Sequence, residues 1–338
     1  MTINLTSLNL NPPVFLAPMA GITDTPSRDI AQLFGPGLVV SEMIASSDRD
    51  KDSFKKNVRK NIKENKNSFC VCPTAIQIAG NEVDWMSYAA KVIEFEGGDL
   101  IDINMGCPAK KIVGRLAGSA LMKEPKHALK LVESIVKSTS LPVTLKMRLG
   151  WDWENINAPM IAKSAENIGV QMITIHARTR NQFFKGKPDW SLVKAVKDQV
   201  SIPIIVNGDI IDHASAIEAR KKSYADGIMI GRGAIGKPWL MRELSTLLYN
   251  GPSEKVGDLI PMNNLVKMHF EKILSFYGLQ TGIRIFRKHL ANYSKAMNLS
   301  SSFRSSIIIE SSADILYKLI DFGFSDRMIR LADVRYKH

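Results

Sequence analysis

The chain has 338 residues, 45% of them hydrophobic, which is enough for one large domain with its own core and a smaller one beside it. No apolar run nears the ~18 residues that cross a bilayer, and "MTINLTSLNLNPP" lacks the basic start and apolar block of a secretory leader; a cytoplasmic protein that does not enter a membrane is expected. Cys70, Cys72 and Cys107, an odd trio, make neither a disulfide framework nor a zinc site, so no metal is expected, while a net charge of +12 favours a polyanionic partner such as nucleic acid.

Eight short runs predict strands, in chain order: "VFLAP" (14–18), "GLVVSEM" (37–43), "TAIQIAG" (74–80), "LIDINMG" (100–106), "PVTLKMR" (142–148), "MITIHAR" (172–178), "PIIVNGD" (203–209) and "GIMIGRG" (227–233). Most are near-continuous Val, Ile, Leu and Met, as in parallel strands buried on both faces. The stretches between them carry helical period. "EVDWMSYAAKVIEFEGG" sets Val83, Met86, Ala90 and Ile93 on one face, and "EPKHALKLVESIVKSTSLP" and "DHASAIEARKKSYADG" read alike. After the second run, "KDSFKKNVRKNIKENK" (51–66) carries seven basic residues and two acidic ones, a solvated helix or an RNA contact.

Eight β-then-α units in order predict an α/β fold, a (β/α)8 TIM barrel over residues 1–250. A doubly wound sheet is the alternative, but "APMAGITD" after the first strand is not its glycine fingerprint. The rhythm then ends. "NNLVKMHFEKILSFYG", "GIRIFRKHLANYSKAM" and "SADILYKLIDFG" read as helices only, so residues 251–338 are assigned to a small helical domain with its boundary near Gly251–Pro261.

In such a barrel, chemistry sits at the C-terminal strand ends. Those ends offer Pro18, Met19 and Ala20; Gln77; Asn104 and Cys107; Lys146 and Arg148; His176 and Arg178; Asn207, Gly208 and Asp209; and Gly231, Arg232 and Gly233. Glycines in "NGD" and "GRG" make tight turns, but at the seventh and eighth strands they also fit a phosphate site, with Arg232 adding charge. Lys146 lies inside a buried run and needs an anionic partner, either a ligand, which is the economical choice, or a barrel carboxylate such as Asp102; His176 reads as a core histidine or a ligand contact, and its place at a strand's C-terminal end favours the ligand. Cys107 offers a thiol, whose S–H makes it a possible general acid. Cys70 and Cys72 precede the third strand and read as packing residues. These residues alone also admit a phosphosugar isomerase or aldolase.

"DINMGCPAKKIVGRLAGSAL" closely resembles the tRNA-dihydrouridine synthases, specifically the bacterial B-type, through Asn104, Gly106, Cys107, Pro108, Gly118 and Ser119. "APMAGITD", "QIAG", "TLKMRLGW", "HARTR", "NGDI" and "RIFRKHL" match family segments in the same order over nearly the whole chain. The resemblance implies a flavoprotein that reduces the C5–C6 bond of particular uridines in tRNA, with FMN as cofactor and NADPH as electron donor. Hydride would pass from flavin N5 to C6, and Cys107 would give the proton to C5. Pro18, Met19, Ala20, Gln77, Lys146 and His176 would border the flavin, and Asn207, Gly208, Asp209, Gly231 and Arg232 would hold its phosphate. Asn104 and Arg178 would hold the uracil. Lys110, Lys111, Arg284, Arg287 and Lys288 would contact tRNA, the last three with Lys295 on one broad helix face. A monomer is expected. Leu149 and Ala177 depart from the family's usual Thr and Gly. Two alternatives differ in class: a dehydrogenase of free pyrimidines resembling dihydroorotate dehydrogenase, which would not need the basic tail, and an RNA-binding barrel without catalysis.

Overall fold

The computed structural model describes residues 1–45, 50–62, 72–249, 259–325 and 327–330. All eight expected runs are strands: β1 (Val14–Leu16), β2 (Leu38–Val40), β3 (Thr74–Ala79), β4 (Leu100–Met105), β5 (Val143–Arg148), β6 (Met172–His176), β7 (Ile204–Asn207) and β8 (Gly227–Ile230). Each lies parallel to its successor, and β8 returns to β1 with Ile228 opposite Val14, which closes the barrel. Every residue of these strands is buried, the physical reason their sequences are continuous rather than alternating. At their N-terminal ends Phe15, Leu38, Leu100 and Met172 pack with Ile3, Leu5 and Leu10, the first and last of which belong to a short N-terminal hairpin.

Helices α1 (Thr25–Gln32), α2 (Lys51–Ile62), α3 (Val83–Phe95), α4 (Lys110–Val113), α5 (Pro125–Val136), α6 (Ala158–Ile168), α7 (Ser191–Lys197), α8 (His213–Ser223) and α9 (Leu240–Tyr249) lie between and after the strands. α3 buries Met86, Ala90 and Ile93 as its period predicts, whereas Val83 at its first turn is exposed. α2 buries Phe54, Val58 and Ile62 and leaves its basic residues outside. Lys63 and Lys66 of that cluster, Cys70, and most of the expected boundary lie outside the described residues. Cys72 packs against the core.

The tail contains α10 (Met262–Tyr277), α11 (Leu279–Ala296), α12 (Ser301–Ile309) and α13 (Ala313–Phe324). Phe270 of α10 stacks on Phe286 of α11 at 4.7 Å. The expectation of helices alone needs one correction: Leu259–Pro261 pairs antiparallel with Met328–Arg330, tying together the two ends of the tail. The tail also docks on α1. Lys272 reaches Asp29 at 2.8 Å, Tyr277 Oη donates to Asp24 at 3.0 Å, and His269 lies 3.2 Å from Ser27 Oγ. No helix among the described residues is long and apolar enough to cross a membrane.

Candidate active site

A cavity of about 460 Å³ opens at the C-terminal mouth of the barrel. Fifteen of the sixteen strand-end residues selected from the sequence line it: Pro18, Met19, Ala20, Gln77, Asn104, Cys107, Lys146, Arg148, His176, Asn207, Gly208, Asp209, Gly231, Arg232 and Gly233. The strand ends bring them together, although they span more than 200 positions in the chain.

Cys107 is held by a chain of amides that begins in the barrel interior. Asp102 accepts from Thr144 Oγ1 at 2.7 Å and from Gln77 Nε2 at 2.6 Å. Gln77 Oε1 in turn accepts from Asn104 Nδ2 at 2.8 Å, and Asn104 Oδ1 accepts the backbone N–H groups of Gly106 at 3.1 Å and Cys107 at 2.9 Å. Ser119 Oγ donates to the Cys107 carbonyl at 2.8 Å. Gly118 sits at φ +61°, and a Cβ there would lie 2.9 Å from that carbonyl and 3.2 Å from Cys107 Cβ. The separated "NMGCP" and "GS" segments therefore form one turn that fixes the thiol, and glycine is what lets the second pass behind the first. The carbonyl of Asn104 is spent on this turn, which leaves it one amide hydrogen for a ligand.

The facing wall is cationic. Lys146 is nearly buried, and among the described residues its hydrogen-bond partner is the neutral Oδ1 of Asn207 at 3.3 Å. Burial pulls its ammonium down to about 8, with the Asp102 charge opposing the shift. Asp102 itself is occupied by Gln77 and Thr144, so the sequence's alternative of a Lys146–Asp102 ion pair is not the contact found. Arg148 spends its guanidinium on the carbonyls of Gly106, Thr179 and Phe183; burial lowers it to about 10, still cationic at neutral pH. His176 is held well below its usual range, first by burial and then by Arg148, Lys146, Arg178 and Arg232. Arg178 Nη1 lies 3.4 Å from His176 Nε2; because arginine only donates, this neutral ring carries its proton on Nδ1.

Arg178 lies behind the wall. It is fully buried, donates to the Gly186 carbonyl at 2.7 Å and to Asp209, and does not line the cavity. Asp209 also accepts from Arg232, at 2.5 Å. Burial alone would raise the Asp209 carboxyl, but the two arginines outweigh it and hold it below the usual range. Past β8 the expected helix N-terminus is instead a single 3-10 turn, Arg232–Ala234, where a Cβ on Gly233 would meet Ile210 O at 2.4 Å.

The other expected contacts do not line the cavity. Lys110 and Lys111 are exposed on α4. On α11, Arg284 is exposed, but Arg287 donates to the carbonyls of Ile309 and Glu310 at the end of α12, and Lys288 donates to the carbonyl of Gly21. Leu149 and Ala177 are core residues off the cavity wall.

Sequence reading gave no role to Phe183, Phe184 or Trp190, all in the segment after β6. Phe184 is about half exposed at the mouth, with its ring 6.3 Å from His176 and the guanidinium carbons of Arg232 and Arg148 at 5.1 and 5.6 Å from its centroid. Trp190 Nε1 donates to the Gly208 carbonyl at 2.9 Å. The adjacent aromatics in "NQFFKG" were the available signal. The whole arrangement can bind an anion deep in the mouth, present a thiol to whatever lies over it, and face an aromatic ring.

A family model described as dihydrouridine synthase matches residues 15–313. The chain is 47% identical over 327 residues to a probable tRNA-dihydrouridine synthase of Rhodobacter capsulatus, covering 97% of this chain and 99% of that one. It is 42% identical to tRNA-dihydrouridine synthase B of Pasteurella multocida, with 88% of each chain covered. Among solved structures, morphinone reductase in complex with tetrahydroNAD superposes with a TM-score of 0.55 at 14% identity, covering 75% of this chain and 92% of that one. Histamine dehydrogenase from Rhizobium sp. 4-9 gives 0.55 at 16% identity over 80% of this chain and 50% of that one. At these identities the structures show a shared fold.

Proposed function

The chain belongs to the dihydrouridine synthase family, and from that premise we propose that it binds FMN at the barrel mouth and reduces the C5–C6 bond of uridine in tRNA. One observation carries this reading: the Cys107 thiol and the buried Lys146 open onto the same cation-ringed cavity. Its volume lies in the ~300–1,000 Å³ range of cofactor sites. The donor set suits a flavin phosphate. Arg232 and the glycine-rich ends of β7 and β8 would take the phosphate; Lys146, under-compensated by Asn207, and the neutral His176 would take the polar edge of the ring system; Pro18, Met19, Ala20 and Gln77 would border it.

When bound, FMN supplies the two-electron reduction of the uracil, with NADPH as the electron source. The protein's own part is proton delivery and placement. Cys107 donates to C5, and its turn, fixed by Asn104 and Ser119, sets the direction of that transfer. A base paired or stacked in folded RNA cannot reach the mouth, so the substrate uridine must flip out, and Phe184 is placed to cover it. Residues 1–250 would carry catalysis and residues 251–338 would hold tRNA.

Purified protein should show a flavin spectrum, or acquire one with added FMN, and with NADPH it should form dihydrouridine in tRNA that lacks it. Reduction of orotate but not tRNA would establish the free-pyrimidine alternative instead. Cys107→Ala should keep FMN while turnover falls by about 10²–10⁴; full activity in that variant would remove the thiol as the acid.

A further inference from the structure

We propose that Lys288 of α11 is a positioning residue for the cavity-lining segment after β1, an inference that rests on the flavin reading above. Pro18, Met19 and Ala20 of that segment line the cavity, and Gly21 follows at φ +72° in an exposed bend. Both backbone groups of Gly21 are held by charged side chains from elsewhere in the chain. Its N–H donates to the Glu42 carboxylate beyond β2, and its carbonyl accepts from the Lys288 ammonium. A bend clamped at both its donor and its acceptor has little freedom to swing Met19 or Ala20. At its inner end the Met19 N–H donates to Thr23 Oγ1 at 2.8 Å, so the segment is fixed at its start and near its tip.

The same turn of α11 also braces the segment after β8, the strand paired with β1. Asn292 donates to the Lys288 carbonyl at 2.6 Å, and its backbone carbon lies 2.4 Å from where a Cβ on Gly236 would stand. One helical turn of the tail thus supports the two segments that flank the cavity on neighbouring strands. RNA bound along α11 and flavin bound in the mouth would then share a support, and any effect of one on the other's affinity through it would be reciprocal.

The test compares Lys288→Met and Lys288→Arg in the full chain. In flavin-free protein, amide exchange of the peptide spanning residues 17–23 should speed up about tenfold with Met while α5 is unchanged, and Arg should restore protection. FMN affinity, read by fluorescence quenching, should weaken about tenfold with Met, with a shifted visible band, and should recover with Arg. Unchanged exchange and unchanged FMN affinity in Lys288→Met, beside a wild type that binds FMN, would overturn the proposal; a fall in tRNA affinity alone would make Lys288 an ordinary phosphate contact. If the wild type does not take up FMN, the flavin reading fails separately, and the exchange measurement still decides whether Lys288 holds the bend.

Discussion

Lys146 shows how a single residue can cost stability where it serves chemistry. Burial lowers its ammonium to about 8, against 10.5 for an unperturbed lysine. Between these values the unfolded chain holds a proton that the folded chain has released. This contribution to stability therefore rises with pH from about 8 to about 10.5 and is flat, at its least favourable, below pH 8. The shift corresponds to roughly 3 kcal/mol as an upper bound. Lys146→Met should raise the stability of ligand-free protein at pH 7 by up to that amount and remove the rise towards pH 10, while dihydrouridine formation falls about 10²-fold. Urea unfolding at the two pH values checks it. A Met variant less stable at pH 7 would mean that the cation is better compensated than its one neutral partner, Asn207, implies.

At the scale of elements, the strands were legible because burial on both faces leaves continuous apolar runs, and their ends were legible because a closed barrel aligns them. That places Cys107, Lys146 and Asn207 on one rim without knowledge of any contact. What stayed hidden depends on partners far away in sequence. Asn104 faces the cavity as expected, yet its carbonyl serves the cysteine turn; Arg178 is a strand-end arginine whose partner is Asp209; Lys288 pairs with Gly21, 267 positions away. No periodicity encodes such pairings. α12 was missed because "SSFRSSIII" buries only Ile307 and so has no amphipathic stripe to read. The contact of the β8 segment with α11 can be tested as a unit. Gly236 has φ +72°, and a Cβ there would stand 2.4 to 2.8 Å from backbone atoms of Asn292 and Tyr293. Gly236→Ala should therefore cost about 2–3 kcal/mol, combining a strained backbone with a clash that no side-chain rotamer relieves. A lowered melting temperature, with earlier proteolysis within the tail than within α5, is the expected result. Unchanged melting would show that α11 can back away freely.

For the whole molecule, the excess of positive charge matters through where it stays available. Of the basic residues expected to form one RNA-facing stripe on α11, Arg287 is spent on the end of α12 and Lys288 on Gly21, while Arg284 and Lys295 are exposed. Eleven residues separate the exposed pair, about 20° around a helix at 100° per residue, so they share a stripe with Lys288 between them. Because Lys288 reaches the bend beside the mouth, this stripe runs next to the cavity, where the phosphates flanking a flipped-out uridine would pass. Reversing both charges, Arg284→Glu with Lys295→Glu, should weaken tRNA binding about tenfold or more at moderate salt and reduce the slope of log K against log salt by about two, one for each lost phosphate contact. FMN affinity should not change, since neither side chain lines the cavity. That separates this pair from Lys288, whose loss should act on the flavin first. If the double reversal leaves the salt slope as it was, tRNA approaches over another face, and exposed Lys110 and Lys111 on α4 become the next residues to reverse.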